Sequence, residues 1–292
     1  MVGQHSSGRR HTLRVLRRRD GQGGWREKVI HRFCDEHENW KRIKLIERFQ
    51  GSRMPFPKIE GMSRKSGGIL VARDFVEGKS LRWHLKLKKE ISAFQAIWLY
   101  HQLVGQICFL HRKTGIAHGD LCPENMVVSS NGKAISLIDF GSCFSFSDSA
   151  DPDIGDGFRE IYQAPETLAG RAPCRITEQF SAASIFYEML TRRTPYHVVE
   201  KQDLDAKTKL TAASERPASK TFFPAALWEL VDAHLATALS LDPGHRFQTI
   251  DDWQNSVKDM RIKSEHPELL QLERSNQSWA QTINAWVGRL WR

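Results

Sequence analysis

The chain has 292 residues, 40% of them hydrophobic and 26% charged, which is the composition of a globular protein with room for one two-lobed domain or two small ones. Its 43 Lys and Arg against 34 Asp and Glu leave a net charge of +9, yet the basic residues run along the whole chain, so nucleic acid is not an expected partner. No apolar run is long enough to cross a bilayer, the first residues lack the order of a secretory signal, and the five cysteines form no CxxC pair; a cytoplasmic protein without a disulfide framework or structural zinc is expected.

Residues 1–11 are polar and read as a disordered arm, and the densest basic cluster runs from Arg9 and Arg10 through Arg14 to Arg17, Arg18 and Arg19. Residues 12–33 read as a β-hairpin around Asp20-Gly21-Gln22-Gly23-Gly24, with Trp25, Glu27, Val29, His31 and Phe33 alternating against Arg26, Lys28, Ile30 and Arg32. Trp40, Ile43, Ile46 and Phe49 predict a helix over 37–49. Residues 55–63 and 68–76 read as two further strands around a turn at Lys65-Ser66-Gly67-Gly68. From about 80 the pattern turns helical, with a long apolar stripe through Ile97, Tyr100, Val104, Ile107, Cys108 and His111. A sheet-rich part followed by a helical part predicts an α+β fold of two unequal lobes, 12–73 and 74–262. In the tail, 263–292, Leu272, Trp279, Ile283, Trp286 and Leu290 form a helical stripe, which either packs on the large lobe or docks to a protein partner or an anionic surface.

The chemistry is concentrated in His118-Gly119-Asp120-Leu121-Cys122-Pro123-Glu124-Asn125 and in the apolar run Ile135-Ser136-Leu137-Ile138 that ends in Asp139-Phe140-Gly141. Ala164-Pro165-Glu166, Tyr187-Glu188-Met189 and Leu241-Asp242-Pro243-Gly244-His245-Arg246 follow in order. This ordered series resembles the protein kinase superfamily, of the serine/threonine type, with a reduced small lobe, over about residues 12–260.

The resemblance implies ATP and Mg2+ as cofactors and a protein substrate. Phosphoryl transfer needs charge neutralised on the phosphates and a hydroxyl held in line. By resemblance, Asp139 holds the magnesium that bridges the phosphates, Asn125 holds a second magnesium, Asp120 takes or orients the hydroxyl proton, and Glu166 and Arg246 form a buried structural ion pair. Val71 to Gly78 resembles the hinge between lobes, so that backbone groups of Asp74 and Val76 bond adenine, with Arg73 at a position that is usually apolar. There Arg73 either narrows the back of the nucleotide pocket or points away from it. Glu178 stands where the family has Asp, and its longer carboxylate is expected to bond the catalytic-loop backbone.

Several departures mark the small lobe and the catalytic loop. Gly21-Gln22-Gly23-Gly24 lacks the spacing of a glycine-rich phosphate loop and reads better as a hairpin turn. Lys28 is the first candidate for the strand lysine, although Val29-Ile30-His31-Arg32 also fits with Arg in its place; the partner glutamate is Glu47, Glu38 or Glu36. Gly119 replaces the arginine that receives an activation-loop phosphate, so activity independent of phosphorylation at Ser142, Ser145, Ser147 or Ser149 is expected. Cys122 stands in place of a lysine, and Arg159 is offered as a substitute cation. An active kinase is the first functional expectation. A pseudokinase that keeps the fold as a nucleotide-binding or scaffold module is the second, and a small-molecule kinase resembling aminoglycoside phosphotransferases is the third.

Overall fold

The structure, a computed structural model, describes residues 14–19, 25–33, 40, 44, 47, 56–65, 68–87, 91–140, 142–146, 160–171, 174–196, 212–215, 217–218 and 222–270. The polar arm 1–11, the turn Gly21–Gly24, Glu36, Glu38, Arg159 and the tail stripe from Leu272 to Leu290 lie outside the described residues.

The first layer is a four-stranded antiparallel sheet of β1 (Arg14–Arg19), β2 (Trp25–Phe33), β3 (Ile59–Lys65) and β4 (Gly68–Asp74), in the order β1-β2-β4-β3. The expected hairpin is present: β1 and β2 pair from Arg14↔Ile30 to Arg19↔Trp25. The strand expected from residue 55 starts only at Ile59, because Pro55 and Pro57 have no N–H to give to a ladder. In β4 the alternation is explicit: Ile69, Val71 and Arg73 are buried, while Leu70, Ala72 and Asp74 are half-exposed.

Beyond β4 the chain passes through β5 (Lys79–Ser80) into the short helix α1 (Leu81–Lys86) and then the long helix α2 (Ala93–Thr114). Helix α2 begins where the Ser92 hydroxyl accepts the Gln95 N–H at 3.1 Å, and it ends at Gly115, whose φ of 66° closes the last turn. Its predicted stripe, from Ile97 to His111, is fully buried. Short strands follow: β6 (Ile116–Ala117), β7 (Met126–Val128), β8 (Ile135–Leu137) and β9 (Phe144–Ser145), with β5-β7-β8 forming one small sheet and β6-β9 another. The helical layer is completed by α3 (Pro165–Leu168), α4 (Arg175–Thr191), α5 (Ala225–Ala238) and α6 (Ile250–Glu265).

Helix α4 is buried on nearly every side, so it forms the centre of the large lobe. By contrast, α6 buries only Trp253, Val257, Met260 and Lys263, a stripe of one helical face that packs on α2. The Tyr100 ring lies flat on Phe186 at 4.2 Å, and Trp253 donates its indole N–H to the Tyr100 hydroxyl at 3.3 Å, which ties α2, α4 and α6 together. The molecule is thus a two-lobed α+β fold. Among the described residues no helix is long and apolar enough to cross a membrane.

Candidate active site

The site is built by one hairpin. Strands β7 and β8 pair as Met126↔Leu137, Val127↔Ser136 and Val128↔Ile135, and the ladder extends by one bond, from the Ile138 N–H to the Asn125 carbonyl at 2.9 Å. That register brings Asn125, at the entry of β7, beside the segment that carries Asp139 at the exit of β8. The 3-10 turn Pro123–Asn125 then folds the preceding loop back. The Asn125 amide donates to both the carbonyl and the carboxylate Oδ2 of Asp120, at 3.0 and 2.8 Å. Asp120, Asn125 and Asp139, far apart in the sequence, therefore gather at one end of the hairpin.

His118 supports this arrangement from below. It is fully buried, and its Nδ1 accepts the Asp120 N–H at 3.3 Å. Nε2 lies 3.1 Å from the Ile138 carbonyl, so the ring staples the loop to the end of β8. Its edge meets Phe140 at 5.0 Å, and Phe140 meets Phe56 at 5.0 Å, an aromatic column that rises toward the sheet. Asp139 has a φ of 66°, a left-handed conformation that a non-glycine residue adopts at a cost of roughly 1–3 kcal/mol.

Gly119 also sits in the left-handed region, at φ 82°, and a Cβ there would lie 2.1 Å from the Ser142 carbonyl oxygen. The arginine that the family places here thus has no room in this conformation. The Gly119 N–H donates to Glu178 Oε1 at 2.9 Å, as expected of the longer carboxylate, while Glu178 Oε2 pairs with His111 Nε2 at 2.6 Å. Burial works to raise the Glu178 pKa, but the His111 bond, His118 and the Gly119 N–H together lower it, so the group stays ionised.

Two buried ionic networks flank the loop. Arg246 grips Glu166 with both nitrogens, at 2.6 and 2.8 Å, while its Nε donates to the Ser240 carbonyl at 2.8 Å and Thr177 donates to Glu166 at 3.1 Å. The second network has no counterpart in the sequence reading. From α1, Arg82 donates to Glu124 at 2.8 Å, to Glu188 at 2.7 Å and to the Tyr162 hydroxyl, and Tyr162 donates to Glu188 at 2.5 Å. Burial alone would lower the Arg82 pKa; Tyr162, Glu188 and Glu124 outweigh it and raise it. No sequence signal singles out Arg82, because only the tertiary fold brings α1 onto the loop and α4.

At the hinge, the Asp74 N–H donates to the Lys58 carbonyl at 2.9 Å and the Asp74 carbonyl accepts from Arg73 Nη1 at 3.1 Å. Val76 follows, half-buried, in a segment without regular structure. Arg73 is only 7% exposed, so it does not point away into solvent. The β2–β4 ladder pairs Val29 with Arg73 and Lys28 with Asp74. Glu47 is helical and half-buried.

Magnesium fits the donor set at the end of the hairpin. Asn125 spends its amide nitrogen on Asp120, which leaves its carbonyl oxygen to join the Asp139 carboxylate, and hard cations take oxygen ligands.

Comparison with known proteins agrees with this geometry. Residues 28–254 match the family model described as the protein kinase domain. The chain is 23% identical over 286 residues to the serine/threonine-protein kinase PrkC of Bacillus subtilis, covering 88% of this chain and 41% of that protein. It is 27% identical over 196 residues to mouse ribosomal protein S6 kinase alpha-4, covering 66% of this chain and 23% of that protein. It is 24% identical over 194 residues to a probable serine/threonine-protein kinase of Streptomyces coelicolor, covering 64% and 28%. The chain thus spans less than half the length of these three relatives. With the kinase-domain match covering most of the chain and the Asp120, Asn125 and Asp139 positions assembled on one hairpin, this protein belongs to the protein kinase family.

Proposed function

We propose that the chain is an ATP- and Mg2+-dependent protein kinase that transfers the γ-phosphate to a serine or threonine hydroxyl of a protein. The observation that carries the reading is the bond from Asn125 to Asp120 at the mouth of the β7–β8 hairpin, beside Asp139. Bound Mg2+–ATP supplies the phosphoryl group and the neutralisation of its charge. Asp120 orients the acceptor hydroxyl and takes its proton as the bond to phosphorus forms. Asn125 holds Asp120 in place through its amide nitrogen and offers its carbonyl oxygen to the metal. Asp139, in its left-handed conformation, would hold one magnesium and Asn125 a second. Backbone groups of the hinge at Asp74 and Val76 would bond the adenine base. The small lobe is assigned to 12–73 and the large lobe to 74–262.

The Bacillus subtilis relative is a serine/threonine-protein kinase and the Streptomyces coelicolor relative a probable one, which supports the acceptor class. Among the described residues Cys108, Cys122, Cys143 and Cys174 form no disulfide, in keeping with a cytoplasmic setting. The test is phosphate transfer from Mg2+–ATP to a basic protein acceptor by the native chain and by Asp139→Ala. Transfer abolished by the substitution is expected. No transfer by the native chain, with magnesium-dependent nucleotide binding retained, would replace the reading by a pseudokinase scaffold.

A further inference from the structure

One guanidinium joins three segments that meet behind the catalytic loop. Arg82 stands on α1, two residues after Ser80, and Ser80 pairs with Val127 of β7, so α1 grows out of the same small sheet as the catalytic hairpin. From there Arg82 Nε donates to Glu124 at 2.8 Å, Nη1 to Glu188 at 2.7 Å and Nη2 to the Tyr162 hydroxyl. The side chains of Arg82, Glu124 and Glu188 are 16%, 21% and 10% exposed, so these charge-assisted bonds are made largely out of water, where they weigh most. The two carboxylates stand on unequal supports. Glu188 belongs to α4, a helix buried on nearly every side, and also accepts from Tyr162 at 2.5 Å. Glu124 belongs to a turn of three residues, and its neighbour Asn125 is the residue that holds the Asp120 carboxylate at 2.8 Å. Without the cation between them the two like charges repel, and the short turn yields before the helix does.

We propose that Arg82 is a positioning residue for phosphoryl transfer: by drawing Glu124 onto α4 it sets the turn that carries Asn125, and with it the place of the Asp120 carboxylate before the acceptor hydroxyl. The proposal rests on the kinase reading given above. Arg82 acts through Glu124 and Asn125 and touches neither nucleotide nor acceptor in this role. The planar guanidinium fork suits the task, because it fixes two carboxylates at a set separation, which the point charge of an ammonium does not. A displacement of about 1 Å in a reacting group can cost about a hundredfold in rate, so a small relaxation of the turn is enough to matter. The hinge backbone assigned to the base makes no bond in this network, so the loss falls on turnover more than on nucleotide affinity.

The test is steady-state kinetics of the full chain with Mg2+–ATP and a basic protein acceptor, each rate referred to the folded fraction found by urea unfolding. Arg82→Met, similar in length but uncharged, is expected to lower kcat by about tenfold or more. Its KM for Mg2+–ATP is expected to stay within about threefold of the native value. Arg82→Lys keeps the charge but loses the fork, and is expected to fall between the two. Glu124→Gln is expected to lower kcat as well. Adding it to Arg82→Met removes the repulsion, so the double variant is expected to turn over no more slowly than Arg82→Met alone. A lower urea midpoint with native kcat in the folded Arg82→Met would make the residue merely structural and overturn the proposal, with the kinase reading intact. Losses that multiply in the double variant overturn the route through Glu124. If Arg82→Met does not fold, native kcat in both Arg82→Lys and Glu124→Gln overturns the proposal in its place. No transfer by the native chain overturns the kinase reading and the proposal with it.

Discussion

Gly119 shows how one missing side chain shapes the catalytic loop. Its positive φ and the Ser142 carbonyl, 2.1 Å from where a Cβ would stand, make glycine the residue that this backbone accepts. Gly119→Ala must either move the Ser142 segment or leave the left-handed region. It is expected to cost about 1–3 kcal/mol, read as a lower urea midpoint with an unchanged slope. An unchanged midpoint would mean that the loop relaxes freely. His234 carries a second residue-scale consequence. It is buried between the Tyr100 hydroxyl and Ser256, each at 2.9 Å, and burial pushes its pKa from 6.5 down to about 3. The folded chain therefore resists protonation that the unfolded chain accepts. The stability this contributes is complete above pH 6.5 and is lost as pH falls from there toward about 3. The loss is about 1.4 kcal/mol per pH unit. Urea unfolding at pH 7 and pH 5 is expected to show it, and His234→Gln is expected to lose less over the same step.

Among the elements, the β7–β8 hairpin and helix α4 do different work. The hairpin sets the relative position of Asn125 and Asp139 by register alone, so a one-residue slip would carry every side chain to the other face and separate them. Helix α4 supplies two anchoring groups for the catalytic loop and its flanks: Glu178 to the Gly119 N–H and Glu188 to Arg82 and Tyr162. Its N-terminal turn also receives the Glu166–Arg246 pair, with the Arg246 side chain fully buried and that of Glu166 8% exposed. Arg246→Ala would leave the Glu166 charge buried alone and is expected to destabilise by about 3–5 kcal/mol. The double change of Arg246→Met with Glu166→Leu is expected to cost less than the single one. A single substitution that left the thermal midpoint unmoved would show that water replaces the guanidinium.

For the whole molecule, the division of labour follows the layers. The sheet contributes Ile59, Ile69 and Val71 to the buried core, and the helical lobe contributes most of the rest, including Trp253 and the Tyr100–Phe186 stack. The aromatic column His118–Phe140–Phe56 continues from the catalytic loop toward the sheet, so packing in one lobe bears on the other. Asp120 and Asn125 lie at the mouth of the β7–β8 hairpin, and Asp139 follows β8 at the same end. The sequence by itself determined the family, the two-lobed α+β class, the stripe of α2 and the Asp120, Asn125 and Asp139 positions, because each is written in local spacing: a helical period, a strand alternation or a short motif. It also placed Glu166 with Arg246 and Glu178 on the loop backbone, which the geometry repeats at 2.6 and 2.9 Å. Only the tertiary structure decided that β3 starts after the prolines, that Lys28 stands in register with Asp74, that Arg73 turns inward to the hinge carbonyl, and that Arg82 joins Glu124, Tyr162 and Glu188. Strand register is a relation between segments distant in the chain, and the fate of a long charged side chain depends on which partners the fold brings within reach; neither is encoded in the spacing of neighbours.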